Sequence, residues 1–284
     1  MTPELQQKVD AILAEMKDMG QIVVGFSGGV DSSVVAALAL RALGDGATAV
    51  TAVSETLAGR ELDEAKEVAR EIGIQHAFVE LSELDDPRFR ANTSARCFFC
   101  QSMRFEHLGK VAEQLGCEVL ASGTNFSDLG DHRPGLKAME ERRVYQPLLD
   151  HKIDKAGVRE IARWLEISVW DKPAMACLSS RIAHGIEVTN DRLRRIELAE
   201  ECLHKLNFEQ FRVRDHDGLA RVEVAAAEMP RLLDAKILKQ VAREVLASGF
   251  DRVTVEMSGF RSGSLNPRPN SDKNPASAPQ KVSP

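Results

Sequence analysis

Ser27-Gly28-Gly29-Val30-Asp31-Ser32 follows directly on an apolar run at residues 21–26. Two adjacent glycines let the main chain turn tightly and bring its N–H groups against an anion with no Cβ in the way. A helix opening near Asp31 adds free N–H donors and the positive end of its dipole. Ser27, Ser32 and Ser33 offer hydroxyl donors. The Asp31 carboxylate repels an anion and suits Mg²⁺, or the fixing of the loop itself. This is phosphate-binding chemistry. No lysine follows the glycines, so the run is not the GxxxxGK[ST] loop that focuses on a γ-phosphate.

A second group of residues carries sulfur. Cys97-Phe98-Phe99-Cys100 sets two thiols at a spacing that chelates one metal centre, and Cys177 follows Lys172-Pro173 in a loop expected at the same mouth of the fold. Three thiolates do not close a structural zinc site, which takes four ligands. They suit a 4Fe–4S cluster with one iron left open. A CxxC pair alone also reads as a redox pair or half of a zinc site, and Cys177 as a buried apolar residue. Cys117 and Cys202 sit beside apolar positions and read as structural.

A third group is cationic. Arg212 and Arg214 lie two apart on an expected strand and so share a face. Together with Ser180 and Arg181 they are candidates for holding a phosphate by bidentate contacts. By pattern alone the two arginines read more readily as a solvated sheet face. Glu200, Glu223 and Asp217 could bind a divalent ion but read more readily as a solvated acidic surface. No histidine is assigned a role.

The elements that position these groups alternate. Short apolar runs at 21–26, 47–53, 75–81 and 118–121 suit strands buried on both faces. Helical periodicity fills 4–18, 32–43, 60–72, 101–115 and 154–165. This spacing predicts βαβ units, hence an α/β fold with a doubly wound parallel sheet. Residues 131–138 read as a polar loop after the fourth strand. The pattern changes near 181: a charged helix at 190–206, strands at 210–215 and 219–225 around an Asp-Gly turn, a helix from Met229-Pro230 and a strand at 252–257. That order predicts a smaller α+β domain. The expected organisation is 1–180, 181–263 and a Pro/Ser/Asn-rich tail at 264–284, read as disordered.

Bulk properties narrow the class. The 284 residues give room for two cores. With 43% hydrophobic and 28% charged residues the chain reads as soluble and globular, and it shows neither a membrane-length apolar run nor a signal-peptide pattern. The expected location is the cytoplasm, where five cysteines are reduced thiols or ligands rather than disulfides. A net charge of −6 argues against nucleic acid as the main partner.

The SGGVDS run resembles the signature of the PP-loop ATP pyrophosphatases, which include NAD synthetases, GMP synthetases and tRNA thiolases. The resemblance implies cleavage of ATP to AMP and pyrophosphate, with AMP placed on a substrate oxygen. It implies ATP contacts at Val24, Gly25, Ser27, Gly28, Gly29, Asp31 and Ser32, at Ser54 after the second strand, at Gly123 and Asn125 after the fourth, and at Arg133. Residues 131–138, 172–181, 212–216 and 259–263 together resemble the LarE family. Its members use ATP to convert pyridinium-3,5-biscarboxylic acid mononucleotide into its thiocarboxylate, on the route to the nickel-pincer nucleotide of lactate racemase. The resemblance covers nearly all of 4–263 and implies a homo-oligomer. Aligned on Ser179-Ser180-Arg181, the sacrificial cysteine of some members falls at Ala176, with Cys177 one place along. That shift, with Cys97 and Cys100 present, favours sulfide relayed by a three-cysteine cluster, with Cys177 as catalytic ligand, over sacrifice of Cys177. A tRNA thiolase and an amide-forming ligase of the NAD-synthetase type are the alternative enzymes, and a non-enzymatic nucleotide-binding protein is the remaining one.

Overall fold

The computed structural model describes residues 1–130, 134–173, 176–261 and 265. Residues 131–133 (Arg133 among them), 174–175 and 262–263 of the LarE-like segments and most of the expected tail therefore lie outside the described residues.

The first layer system is a parallel sheet. Strands β1 (Ile22–Gly25), β2 (Ala47–Val53), β3 (Gln75–Glu80) and β4 (Leu120–Ala121) stand in the order β3-β2-β1-β4, all pairs parallel. β1 is central, and its burial on both faces explains its unbroken apolar sequence. Helices α1 (Pro3–Met19), α2 (Val30–Leu43) and α3 (Gly59–Ile72) precede or connect the first strands. A one-turn helix α4 (Pro87–Arg90) leads into α5 (Arg96–Gln114), and α6 (Pro134–Glu141), the single turn α7 (Pro147–Asp150) and α8 (Lys155–Trp164) follow β4. The main core gathers Val9, Ile12 and Met16 of α1, Val34, Val35 and Leu38 of α2, and Val158 and Ile161 of α8 on one face of the sheet. Phe105 and Leu108 of α5 cover Val23 and Val50 on the other.

Strand order and helix placement match the doubly wound expectation, with two local differences. Residues 134–138, expected to belong to a polar loop, lie in the helix Pro134–Glu141. Pro134 opens this helix, a position where the missing N–H costs nothing. Helix α5 begins at Arg96 rather than near 101, so Cys97 and Cys100 lie in its first turns. The two aromatic residues between the cysteines mask the helical period there.

The second layer system holds α9 (Asn190–Lys205), the hairpin strands β5 (Phe211–His216) and β6 (Leu219–Val224), the single turn α10 (Met229–Leu232), α11 (Ala235–Ala247) and β7 (Arg252–Val255). β6 pairs antiparallel with β5 and parallel with β7. The hairpin turns at Asp217 and Gly218, both at positive φ, as the Asp-Gly step requires. Its core packs Leu193 and Ile196 of α9 on Val213, Val222 and Val224, and extends to Phe89, Cys100 and Leu178 from the first part of the chain. The second sheet's core thus reaches the segments that carry the cysteines. No described helix is long and apolar enough to cross a membrane.

Candidate active site

The phosphate loop runs from the end of β1 into α2. Gly29 is the N-cap of α2 and no side chain caps it, so the first N–H groups of the helix are left for another acceptor. The loop is closed on itself by serine hydroxyls. Ser32 Oγ accepts from the Ser27 N–H at 3.2 Å, lies 3.1 Å from Ser27 Oγ and donates to the Gly29 carbonyl at 3.1 Å. Two glycines are sterically required. Gly28 has φ +67°, and a Cβ there would lie 2.7 Å from Ala65 Cα of α3. A Cβ on Gly123 would lie 2.5 Å from the Ser32 nitrogen, so the segment after β4 packs directly on the start of α2.

That segment also fixes Asp31. Asn125 Nδ2 donates to Asp31 Oδ1 at 3.0 Å, and Lys155 Nζ at the start of α8 meets Asp31 Oδ2 at 2.5 Å. Ser27, Gly28, Gly29, Asp31, Ser32, Gly123 and Asn125 therefore form one cluster. Gly25 ends β1 directly below it. Val24 does not join it: the residue is fully buried and pairs with Ala49 and Ala121 on either side, so its main chain belongs to the sheet.

Ser54 follows β2, and its hydroxyl lies 3.0 Å from Thr56 Oγ1. Thr56 is the meeting point of the nucleotide side and the sulfur side. Its hydroxyl donates to Glu83 Oε1 at 3.2 Å and accepts from Arg104 Nη2 at 2.9 Å, and its carbonyl accepts the Leu178 N–H at 2.9 Å. The loop carrying Cys177 is thereby pinned to the end of β2. A second pin comes from α5: Arg96, buried, donates to Ser179 O at 2.8 Å and to Asn92 Oδ1 at 2.6 Å. A third is Arg181, whose Nη1 donates to the carbonyls of Ala176 and Cys177.

These pins bring the three candidate cysteines together. Cys100 is close enough to Cys97 and Cys177 for each to affect its ionisation. Burial pushes the Cys100 thiol up, to about 12, with the Glu83 carboxylate adding to it; Cys100 Sγ donates to Glu83 Oε1 at 3.5 Å. Cys177 moves the other way. Burial alone would raise it, but Arg96, the hydrogen bond with Ser179 Oγ at 3.1 Å, Arg104 and Arg181 together hold it below the ordinary thiol range. Cys177 is half-buried, while Cys97 is exposed. Among the described residues no three His, Cys, Asp or Glu side chains stand in metal-holding geometry. The donor chemistry nonetheless fits an iron–sulfur cluster: three soft sulfur ligands from one helix turn and one loop, faced by guanidinium groups that offset an anionic centre. Cys117 is buried and donates to Val119 O, as befits a structural role.

The cationic group is more differentiated than its spacing suggests. Arg181, 2% exposed, makes a bidentate pair with Glu200 at 3.0 Å for both bonds. Arg214, also buried, is paired with Glu223 at 3.1 Å and donates to Ser180 O at 3.2 Å. Glu223 is fully buried and Glu200 mostly so, which overturns their reading as a solvated acidic face; Asp217 alone of the three is exposed. Arg212 differs. Among the described residues it meets no carboxylate at ion-pair distance, and its guanidinium contacts only the Phe211 carbonyl and the Phe260 ring. Burial, with the like charges of Arg181 and Arg214, lowers it to about 10. An anion brought to Arg212 relieves that penalty. Ser180 sits between the groups, its hydroxyl accepting from Arg181. Sequence reasoning missed Arg96, Arg104, Thr56, Glu83 and Lys155. Only the position of Arg96 beside Cys97 offered a signal.

A glycine-rich loop after the central strand of a parallel sheet, uncapped at its helix and packed on the loop after β4, defines a PP-loop ATP pyrophosphatase. Comparison with known proteins agrees. A family model described as NAD synthase matches residues 3–99. The chain is 34% identical over 264 residues to the pyridinium-3,5-bisthiocarboxylic acid mononucleotide synthase of Lactiplantibacillus plantarum, covering 92% of this chain and 95% of that protein. It is 37% identical over 262 residues to an uncharacterized protein of Synechocystis sp., covering 92% and 98%. A tRNA-specific 2-thiouridylase of Caulobacter vibrioides is 29% identical over 197 residues, covering 54% of this chain and 50% of that one. The chain belongs to the LarE family and is an ATP-dependent sulfurtransferase.

Proposed function

We propose that the protein adenylates a carboxylate of pyridinium-3,5-biscarboxylic acid mononucleotide and replaces its oxygen with sulfur, as a step towards the nickel-pincer nucleotide. The similarity to the Lactiplantibacillus plantarum synthase along nearly the whole of both chains supports the substrate. The observation that carries the chemistry is Cys177: a thiol held low by three arginines, on a loop hydrogen-bonded to the strand end that follows the phosphate loop.

The steps divide between the two parts. Residues 1–180 bind ATP, with its phosphates on the N–H groups of the loop and of the start of α2. Asp31 would supply an oxygen to a Mg²⁺ ion that arrives with the phosphates; a hard carboxylate oxygen suits that ion. A substrate carboxylate oxygen attacks the α-phosphorus, the bond to the β-phosphate breaks, and pyrophosphate leaves. The carboxylate is now an acyl adenylate with AMP as its leaving group. A sulfur nucleophile attacks the carbonyl carbon and expels AMP. Residues 181–263 hold the substrate phosphate, chiefly on Arg212. Arg181 and Arg214 shape that site while remaining paired to Glu200 and Glu223. Cys97, Cys100 and Cys177 would hold a 4Fe–4S cluster, which supplies an open iron for exogenous sulfide.

Anaerobic reconstitution with iron and sulfide tests the cluster. The wild type turns brown and Cys97→Ala does not. Equal absence of colour in both rejects the cluster. Loss of H₂S from Cys177 after one turnover, seen by mass spectrometry, identifies a sacrificial donor instead.

A further inference from the structure

We propose that Glu61 selects for the positive ring of the substrate, its carboxylate facing the pyridinium nitrogen while Arg212 holds the phosphate at the other end. The inference rests on the substrate proposed for the site.

Glu61 lies in the first turn of α3, and that helix spans the space between the two parts of the chain. At its start the Gly59 N–H donates to Glu197 Oε1 of α9 at 2.7 Å. Further along, Ala65 packs on the phosphate loop so closely that a Cβ on Gly28 would lie 2.7 Å from its Cα. The helix covers about 9 Å between these two contacts. Glu61 stands between them, one turn before Ala65 and so on the same face. It influences the charge of both Arg181 and Arg212, and Arg181 also feels Cys177. The carboxylate is thus bordered by the phosphate loop, the Cys177 loop and Arg212.

Nothing in the protein answers its charge directly. Of the carboxylates around it, Glu200 pairs with Arg181, and Glu64 accepts from Lys172 Nζ at 2.6 Å. Glu61 makes no hydrogen bond or ion pair among the described residues. Burial raises its pKa; Arg181 and Lys172 offset this only in part, and Glu200 and Glu64 add to it. A carboxylate in that state works against two anionic ligands, the triphosphate and the substrate phosphate, unless one of them brings a cation.

The substrate brings one. Its two carboxylates and its phosphate are negative, and its ring nitrogen is positive. The reacting carboxylate must reach both the phosphate loop and Cys177 while the phosphate lies on Arg212. The ring that joins them passes the space that Glu61 borders. A nucleotide of the same outline with a neutral ring would leave the carboxylate uncompensated, so the choice comes from that penalty as well as from attraction. Glu61 forms no bond and moves no proton in the reaction; it decides which ring is accepted.

Calorimetric titration of the full-length protein without ATP tests this, with two probes. One is pyridinium-3,5-biscarboxylic acid mononucleotide; the other is its 1,4-dihydro form, which keeps both carboxylates, the ribose and the phosphate but has a neutral ring. The wild type should prefer the pyridinium form about tenfold or more, the worth of one close charge pair in a partly buried site. Glu61→Gln should bring the two affinities within about twofold, by weakening the pyridinium form, and Glu61→Asp should keep part of the preference. If Glu61→Gln does not fold, as judged by thermal melting, Glu61→Ala carries the same comparison. A preference that survives in Glu61→Gln, or an equal change for both probes, overturns the inference: Glu61 then only balances its arginine neighbours. A wild type that binds both probes equally overturns the inference and leaves the substrate reading standing. A wild type that binds neither overturns both.

Discussion

Replacing Arg96 with Met separates two effects of one side chain. The guanidinium is buried and donates to Asn92 Oδ1 and Ser179 O. Methionine fills similar length but donates nothing, so both acceptors lose their partner. A buried acceptor left unpaired costs about 1–3 kcal/mol, which puts the combined loss of two at about 2–6 kcal/mol of unfolding free energy. The lower half of that range is expected, because Asn92 Nδ2 still donates to the Ile182, Ala183 and Ile186 carbonyls and keeps the two segments in contact. The second effect is electrostatic. Burial raises Cys177, and Arg96 is the largest influence opposing it. Without Arg96 the Cys177 pKa must rise. The assay is iodoacetamide alkylation against pH on the metal-free protein, resolved by residue with mass spectrometry, beside urea unfolding of the same samples. In the wild type Cys177 reacts at lower pH than Cys100, whose thiol is pushed up to about 12. In Arg96→Met the Cys177 midpoint moves up. A midpoint that stays or falls, in a variant that still unfolds cooperatively, refutes the claim that arginine charge sets the thiolate.

Gly123→Ala drives a Cβ to within 2.5 Å of the Ser32 nitrogen. The backbone must yield, at about 1–3 kcal/mol, and the loop's fit to phosphate suffers with it; melting and ATP titration should both register the change. Arg212→Met should barely alter the melting temperature yet raise KM for the nucleotide substrate, since no carboxylate is left behind. Arg214→Met should do the reverse. It strips one partner from buried Glu223, a loss of about 2–3 kcal/mol, below the full cost of a broken buried pair because Arg221 still meets Glu223 at 2.9 Å. Equal melting temperatures for the two variants would contradict this division of roles.

What was legible in the sequence was local. Ser27 to Ser32 announced a phosphate loop because two glycines directly after a doubly buried strand have few other uses. The strands showed as apolar runs, and the hairpin as an Asp-Gly step. The beginning of α5 was hidden because Arg96-Cys97-Phe98-Phe99-Cys100 has no clean helical period. The state of each cysteine was hidden for a different reason. It depends on contacts such as Arg96 with Ser179 and Leu178 with Thr56, which join segments far apart in the chain. The arginines show the same limit. Spacing put Arg212 and Arg214 on one strand face, but Arg214 is paired with Glu223 while Arg212 meets no carboxylate at ion-pair distance among the described residues. Lys155 was not singled out in the sequence, and only the return of α8 to the phosphate loop brings it to Asp31.

The central claim is sulfur transfer driven by adenylation, and one incubation tests it most directly. The iron- and sulfide-reconstituted protein is mixed with MgATP, sulfide and pyridinium-3,5-biscarboxylic acid mononucleotide, and both nucleotides are followed by mass spectrometry. The account predicts AMP and pyrophosphate in equal amounts, formed only when the pyridinium nucleotide is present, and a product in which sulfur replaces a carboxylate oxygen. AMP formation indifferent to that nucleotide, or none at all, contradicts it.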